Sequence, residues 1–121
     1  MENFRRFEAV DPYNRTWQVE FRWQQNAISI RHSDSIDVKY QLIQGEDVSE
    51  KVIALRHPDL LALGKKAGRE VTDAWILKLA ALNIREMIET DRDMEKTLVT
   101  ARLEDLQRYN EKLSAPAPIR R

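Results

Sequence analysis

A chain of 121 residues is about the length of one domain, and its 20 basic and 20 acidic residues give a formal net charge of zero. This balance provides no long-range attraction to nucleic acid or anionic lipid, so we expect neither partner. The absence of cysteine excludes disulfides, thiolate metal sites and a cysteine nucleophile, and fits a cytoplasmic protein. The first six residues lack the apolar run of a signal peptide, and no apolar stretch is long enough to cross a bilayer.

Alternating apolar and polar residues predict four strands in the first half of the chain. In residues 13–23, large apolar side chains share one parity: Trp17, Val19, Phe21 and Trp23. The same period predicts further strands over residues 27–32 and 36–43, and a fourth over 48–55, where the alternation is blurred and the β-branched residues come late. The connections are short and polar, with one at residues 24–26, and such connections favour an antiparallel meander.

The period of the pattern then changes to that of helices. Pro58 suits the first turn of a helix that runs to about Ala67. Thr72 is a suitable N-cap for a second helix, which is apolar on most sides and is therefore predicted to be buried against the sheet. A third helix is predicted over about 101–113, while residues 96–100 fit either a fifth strand or the start of that helix.

Together these elements predict an α+β fold, namely a four-stranded antiparallel meander followed by two or three helices packed on one face. We assign residues 1–113 to a single domain, with strands at about 13–55 and helices at about 58–113. Residues 114–121 are predicted to form a flexible C-terminal tail, because they contain two prolines and end in two arginines.

Both histidines belong to a repeated Arg-His-x-Asp pattern. The first copy comprises Arg31, His32 and Asp34, and the second comprises Arg56, His57 and Asp59. The copies close the second and fourth predicted strands, which in a meander end at one edge, about 10 Å apart with one strand between them. Paired imidazoles with carboxylates bind divalent metals, whereas arginines with histidines hold an anion or phosphate. The alternative interpretation is that these residues are turn formers, a helix-dipole partner and solvated arginines.

The aromatic residues Trp17, Phe21 and Trp23 are interpreted as part of the core. A platform that stacks nucleobases needs a basic surround, whereas Glu20 and Arg22 supply both signs of charge. An exposed tryptophan would instead indicate a surface that binds a partner.

The sequence contains no Gly-rich nucleotide loop, no Gly-x-Ser-x-Gly elbow and no complete calcium loop, so we predict no cofactor. We expect a protein-interaction or regulatory module, self-association included, because the second predicted helix is more apolar than a small sheet can cover. The last helix is a second candidate surface, through Leu103, Leu106, Tyr109 and Leu113. The alternatives are a small-ligand, anion or metal-binding domain that uses the Arg-His-x-Asp segments, and a small enzyme with a histidine base.

Overall fold

The computed structural model describes residues 3–27 and 34–114, which form a single sheet with three helices. The strands are β1 (Arg6–Val10), β2 (Thr16–Ala27), β3 (Ser35–Gln44), β4 (Asp47–Arg56) and β5 (Leu98–Thr100). The helices are α1 (His57–Ala67), α2 (Asp73–Thr90) and α3 (Leu103–Ser114). The predicted α+β class is therefore confirmed.

The described strands lie in the order β1-β2-β3-β4-β5. The first four are antiparallel neighbours, whereas β5 runs parallel to β4 after the chain has passed through α1 and α2. The sheet thus has five strands rather than the predicted four, and residues 98–100 are strand. Strand β1 escapes prediction because it has only five residues, and a pattern of period two is hard to distinguish over so short a span.

Strand β2 is one strand of 12 residues that continues through the polar connection predicted at residues 24–26. Those residues pair with β3, so the predicted interruption is wrong. The strand predicted over 27–32 lies outside the described residues except for Ala27, which ends β2. The tail predicted over 114–121 also lies outside them except for Ser114, which ends α3.

The carboxylate of Asp11 closes the turn between β1 and β2. One of its oxygens accepts hydrogen bonds from the backbone N–H groups of Tyr13 and Arg15, both at 2.9 Å. The other accepts from Arg15 Nε at 2.7 Å and from Trp17 Nε1 at 2.9 Å. Burial by itself raises the pKa of Asp11, but these bonds favour the ionised form and lower the pKa to about 2.

The core lies between the helices and one face of the sheet, here called the inner face. The sheet contributes fully buried side chains from its three central strands: Val19, Val38, Tyr40, Leu42, Ile53 and Leu55. The Tyr40 hydroxyl donates a 3.2 Å hydrogen bond to the carbonyl oxygen of Leu77, which ties α2 to the centre of this face.

Helices α2 and α3 leave little apolar surface free. In α2, ten of the 18 residues are buried, which confirms the prediction that this helix is a core element. The predicted surplus of apolar surface on α2 is therefore not found. In α3, Leu106 and Tyr109 are fully buried, and Leu103 and Leu113 are half-buried. The interaction surface predicted on the last helix is therefore wrong, because its main apolar side chains pack inward.

A β-bulge around Arg22 changes the face to which the end of β2 belongs. Phe21 pairs with Tyr40, and Trp23 pairs with Lys39, so β2 advances two residues where β3 advances one. Such a bulge shifts the alternation by one residue, and every side chain beyond it takes the opposite face.

The bulge moves Trp23 out of the core. Gln24 now faces the helices, and its amide donates to the carboxylate of Asp73 at the start of α2, at 3.3 Å. Trp23 lies on the opposite face of the sheet, here called the outer face, and is 37% exposed. Its predicted core role is wrong, whereas Trp17 and Phe21 pack against the core as predicted.

Glycine at position 64 permits a close turn after α1. Gly64 is buried, and the backbone N–H of Arg69 donates to its carbonyl oxygen at 2.8 Å. A Cβ at this position would lie 2.8 Å from the carbonyl oxygen of Arg69 and 3.3 Å from Cγ2 of Val71. The segment between α1 and α2 therefore packs directly on a residue without a side chain.

We predict that Gly64→Ala lowers the free energy of unfolding by about 1–3 kcal/mol, since backbone atoms of Arg69 have to move. Helix propensity alone predicts the opposite, a gain of about 1 kcal/mol. Urea denaturation followed by circular dichroism measures the difference. The reverse substitution at exposed Ala62, Ala62→Gly, is the control and should cost about 1 kcal/mol from propensity alone. A Gly64→Ala variant more stable than the parent contradicts the close packing.

Candidate functional site

The second Arg-His-x-Asp copy lies where β4 passes directly into α1. Arg56 is the N-cap residue of α1 and is exposed, and its side chain makes no capping hydrogen bond. His57 and Asp59 are half-buried in the first turn of the helix. The backbone N–H of His57 donates to the carbonyl oxygen of Asp34 at 2.9 Å.

This hydrogen bond brings the end of the first copy against the second. Asp34 directly precedes β3, and Ser35 pairs with Arg56 in the ladder between β3 and β4. No strand therefore separates Asp34 from the second copy, and the predicted separation by one strand is wrong at this residue. Arg31 and His32 of the first copy lie outside the described residues. Within residues 3–27 and 34–114, no three or more potential metal-ligating side chains are grouped as a metal site requires.

A cluster of charged side chains joins α2 to α3. The Glu86 carboxylate accepts hydrogen bonds from Arg108 Nη1 at 2.8 Å and from Arg108 Nη2 at 3.0 Å, which is bidentate pairing. It also accepts a hydrogen bond from the Tyr109 hydroxyl. Asp105 accepts from Arg108 at 2.6 Å and lies 3.5 Å from Arg92. Arg102 also lies 3.6 Å from Asp105, so the two carboxylates face four donor side chains.

The pKa values in this cluster favour a structural role. The hydrogen bonds from Arg108 and then from Tyr109 outweigh burial and lower the pKa of Glu86 to about 2. Burial and the neighbouring Glu86 carboxylate raise the pKa of the Tyr109 phenol. A general base works best with a pKa near the operating pH, and an acid that is fully ionised and fully paired does not meet this condition. The cluster is therefore a clamp between helices.

The outer face presents a continuous row of side chains across four strands. Trp23 pairs with Lys39, Lys39 with Val52, and Val52 with Leu98. Leu98 is 59% exposed, and Val52 is half-buried. The ammonium of Lys39 lies 5.6 Å from the centre of the Trp23 ring and 3.1 Å from Glu50. We call Trp23, Lys39, Val52 and Leu98 the outer row.

Charged residues of both signs surround the outer row. The adjacent row of the ladder contains Glu20, Gln41 and Glu50, and Arg6 lies 3.8 Å from Glu20. On the other side of the outer row, Asp37 occupies the next outward position of β3. The outer row shares its aromatic and apolar side chains and its border of mixed charge with protein interfaces, and Lys39 places one cation within it.

The sequence pattern did not reveal the outer row for two physical reasons. The alternation in β3 correctly predicts that Lys39 faces away from the core. It does not predict which side chains lie beside Lys39, because these depend on the register with β2 and β4. Leu98 becomes a neighbour of Val52 only through the parallel pairing of β5 with β4, which joins residues 46 positions apart in the chain. The sequence contains one signal of the bulge. Residues 24–26 are polar at odd and even positions alike, so the apolar alternation of residues 17–23 is lost just after it.

Comparison with known proteins leaves the geometry as the basis for a functional argument. No protein-family model matches the chain, and searches of curated proteins and of solved structures find no significant similarity. None of the described helices is long and apolar enough to cross a membrane.

Ionisation of Glu86 makes the clamp between α2 and α3 sensitive to acid. Its folded-state pKa of about 2 lies below the ordinary value of 4.5, so its contribution is complete above the ordinary value and is lost as the pH falls towards 2. We predict that Glu86→Gln lowers the free energy of unfolding by on the order of 2–3 kcal/mol at neutral pH and by much less near pH 2. Urea titrations across this pH range measure the effect.

Glu89→Gln is the matched control on the same helix. Glu89 pairs with Arg85 at 3.2 Å, but both side chains are well exposed, and such pairs contribute about 0–1 kcal/mol. A penalty for Glu86→Gln that does not change with pH, or that equals the penalty for Glu89→Gln, contradicts the assignment of the clamp.

Proposed function

We propose that this chain is a protein-interaction module that binds its partner through the outer face of the sheet. The observation that carries the proposal is the exposed Trp23 on that face, from which the outer row continues through Lys39 to Val52 and Leu98. Tryptophan is enriched among the residues that dominate binding at interfaces, because its large ring loses little conformational entropy on burial. The bulge that places Trp23 outside the core exposes apolar area with no evident benefit to folding.

The charges around the outer row favour a protein over nucleic acid or a membrane surface. Glu20, Asp37 and Glu50 on this face repel phosphates, whereas Lys39 and Arg6 supply only a local positive contribution. Mixed charges of this kind give register and orientation to a protein partner. We propose that the module acts in the cytoplasm and that a second copy of the chain is one admissible partner.

A photo-crosslinking residue at position 25 tests the proposal in cells of the source organism. Gln25 is exposed and is the next outward-facing residue of β2 after Trp23, where it pairs with Asp37. We predict discrete crosslinked adducts, which mass spectrometry identifies as another protein or a second copy. Trp23→Ala should reduce their yield strongly, because truncation of a tryptophan that is buried on binding costs about 2 kcal/mol or more, equivalent to a roughly 30-fold weaker Kd.

Leu61→Ala is the matched control, because Leu61 is 53% exposed on α1 and does not belong to the sheet. Its adducts should equal those of the parent protein. Light scattering of the purified chain shows whether a second copy is the partner. The proposal fails if position 25 gives no discrete adduct, or if Trp23→Ala and Leu61→Ala give the same yield.

An anion-binding site at the Arg-His-x-Asp segments is a second candidate function. The hydrogen bond from His57 to Asp34 favours it, because this bond joins the two segments at the start of α1. The exposed Arg56 is a suitable donor for phosphate. The backbone N–H groups that α1 can offer an anion come after Pro58, because the N–H of His57 is donated to Asp34 and proline has none.

We predict that inorganic phosphate raises the Tm of the parent protein and that His57→Ala removes this rise. Differential scanning fluorimetry at low ionic strength measures it. Lys65→Ala is the control, because Lys65 lies at the opposite end of α1. Equal phosphate responses in His57→Ala and Lys65→Ala exclude the site.

A further inference from the structure

Strand β5 is an edge strand of the described sheet, and its pairing with β4 fixes the direction of its backbone groups. The backbone N–H of Val52 donates to the carbonyl oxygen of Thr97 at 2.8 Å, and that of Ala101 donates to Ala54 at 2.9 Å. In a parallel ladder, alternate residues of one strand bond to the same neighbour. Residues 97, 99 and 101 therefore direct their N–H and C=O groups towards β4.

The intervening residues, Leu98 and Thr100, direct their backbone groups away from β4. Among the described strands, β5 has β4 as its single neighbour. The open side of the strand borders a groove of about 620 Å³ that Leu98, Val99 and Thr100 help to line. This side therefore offers backbone donors and acceptors at the spacing that another extended chain requires.

Cations outnumber carboxylates among the side chains that line the groove beside β5, although each cation is paired with a carboxylate. Its charged lining residues are Arg92, Lys96, Arg102 and Asp93, which gives three cations and one carboxylate. The side chains of Lys96 and Arg102 are 56% and 64% exposed. Lys96 lies 3.3 Å from Asp93, and Arg102 lies 3.6 Å from Asp105. The cations of these pairs are the exposed partners, whereas the Asp93 and Asp105 side chains are 30% and 12% exposed. A carboxylate of a partner can therefore approach Lys96 and Arg102 from the solvent side while the internal pairs remain.

We propose that β5 accepts an extended acidic segment of a partner protein as a sixth strand of the sheet. The segment bonds to the backbone of Leu98 and Thr100, and its carboxylates lie against Lys96 and Arg102. Its outward side chain beside Leu98 extends the outer row by one strand. This inference rests on the proposed function and specifies the chemistry of the partner.

The same charges disfavour a second copy at this edge. Two β5 strands paired side by side bring the Lys96 and Arg102 side chains of both copies into one groove. Like charges opposite each other destabilise strand pairing, and lysine beside an edge strand is a common barrier to self-pairing. An acidic segment meets no such repulsion.

Thr100→Pro is the discriminating substitution. It removes the backbone N–H that faces the groove and leaves the backbone N–H and C=O groups of Val99 and Ala101 that face β4. Edge strands tolerate a proline whose nitrogen points away from the neighbouring strand. Thr100→Val is the matched control, because it retains the N–H and nearly the same side-chain shape. The probe is a fluorescein-labelled peptide of alternating glutamate and valine, and a second peptide replaces each glutamate with lysine.

Fluorescence anisotropy should show that the parent and Thr100→Val bind the glutamate peptide, and that Thr100→Pro binds at least tenfold more weakly. The lysine peptide should bind the parent poorly. In the double variant Lys96→Glu and Arg102→Glu, the preference between the peptides should reverse, which keeps the test valid if Thr100→Pro does not fold. In NMR spectra of the parent, the amide signals of Leu98 and Thr100 should shift on binding.

The proposal is overturned if the glutamate peptide does not bind up to 1 mM, or binds Thr100→Pro and Thr100→Val equally. It is also overturned if light scattering shows a dimer that Thr100→Pro dissociates, because the occupant is then a second copy. If crosslinks at position 25 depend on Trp23 but the glutamate peptide does not bind, the proposal for the β5 edge is refuted and the proposal for the outer face is not. Peptide binding at β5 without crosslinks at position 25 would refute the outer face as the interface.

Discussion

The position of helix α2 determines which surfaces of this molecule are free. The chain leaves β4, passes through α1 and α2, and returns as β5 parallel to β4. A parallel connection of this kind has to carry its helices over one face of the sheet. Helix α2 packs there against β1, β3, β4 and α3, and its apolar residues are buried on most sides. The helices therefore lie on the inner face, and no described helix covers the outer face.

Two polar anchors hold the elements that follow α2. Glu86 ties α3 to α2 through Arg108 and Tyr109. Lys51, which is buried on the inner side of β4, donates from Nζ to the carbonyl oxygens of Met94 and Lys96. Burial lowers the pKa of Lys51, and the nearby carboxylates of Glu95 and Asp93 oppose this effect. Lys51 thereby fixes the loop between α2 and β5 and sets where the short strand can pair.

Local patterns predicted those elements whose structure depends on neighbouring residues. Strand β3 follows its alternation, whereas β4 forms although its alternation is blurred. Helix α2 begins where Thr72 suggests, with the Thr72 hydroxyl accepting from the N–H of Trp75 at 3.2 Å. Asp91 ends the same helix in the left-handed region, with a φ of 55°. Helix caps, turns and the periodic spacing of apolar residues each depend on a few neighbouring residues. A single sequence is therefore enough to predict them.

The surfaces proposed for function depend on pairing between distant segments, and the sequence does not encode this in a local pattern. The bulge at Arg22 is a property of the β2–β3 register, so the parity of Trp23 cannot be extrapolated from Trp17 and Phe21. The contact of His57 with Asp34 likewise depends on which strand lies beside β4. The candidate Arg-His-x-Asp segments could be named from the sequence, but their adjacency could not.

The outer row and the β5 edge meet at Leu98, so one partner can contact both surfaces. Leu98 and Thr100 offer a partner strand at most a few backbone hydrogen bonds, each with a net contribution of about 0.5–1.5 kcal/mol. A strand of three residues therefore supplies direction and register, while most of the binding energy has to come from apolar burial. Trp23, Val52 and Leu98 provide that burial in a line that ends at the edge. In the arrangement that we propose, a partner adds an acidic strand at β5 beside Lys96 and Arg102 and folds back over Trp23, so that it uses both surfaces.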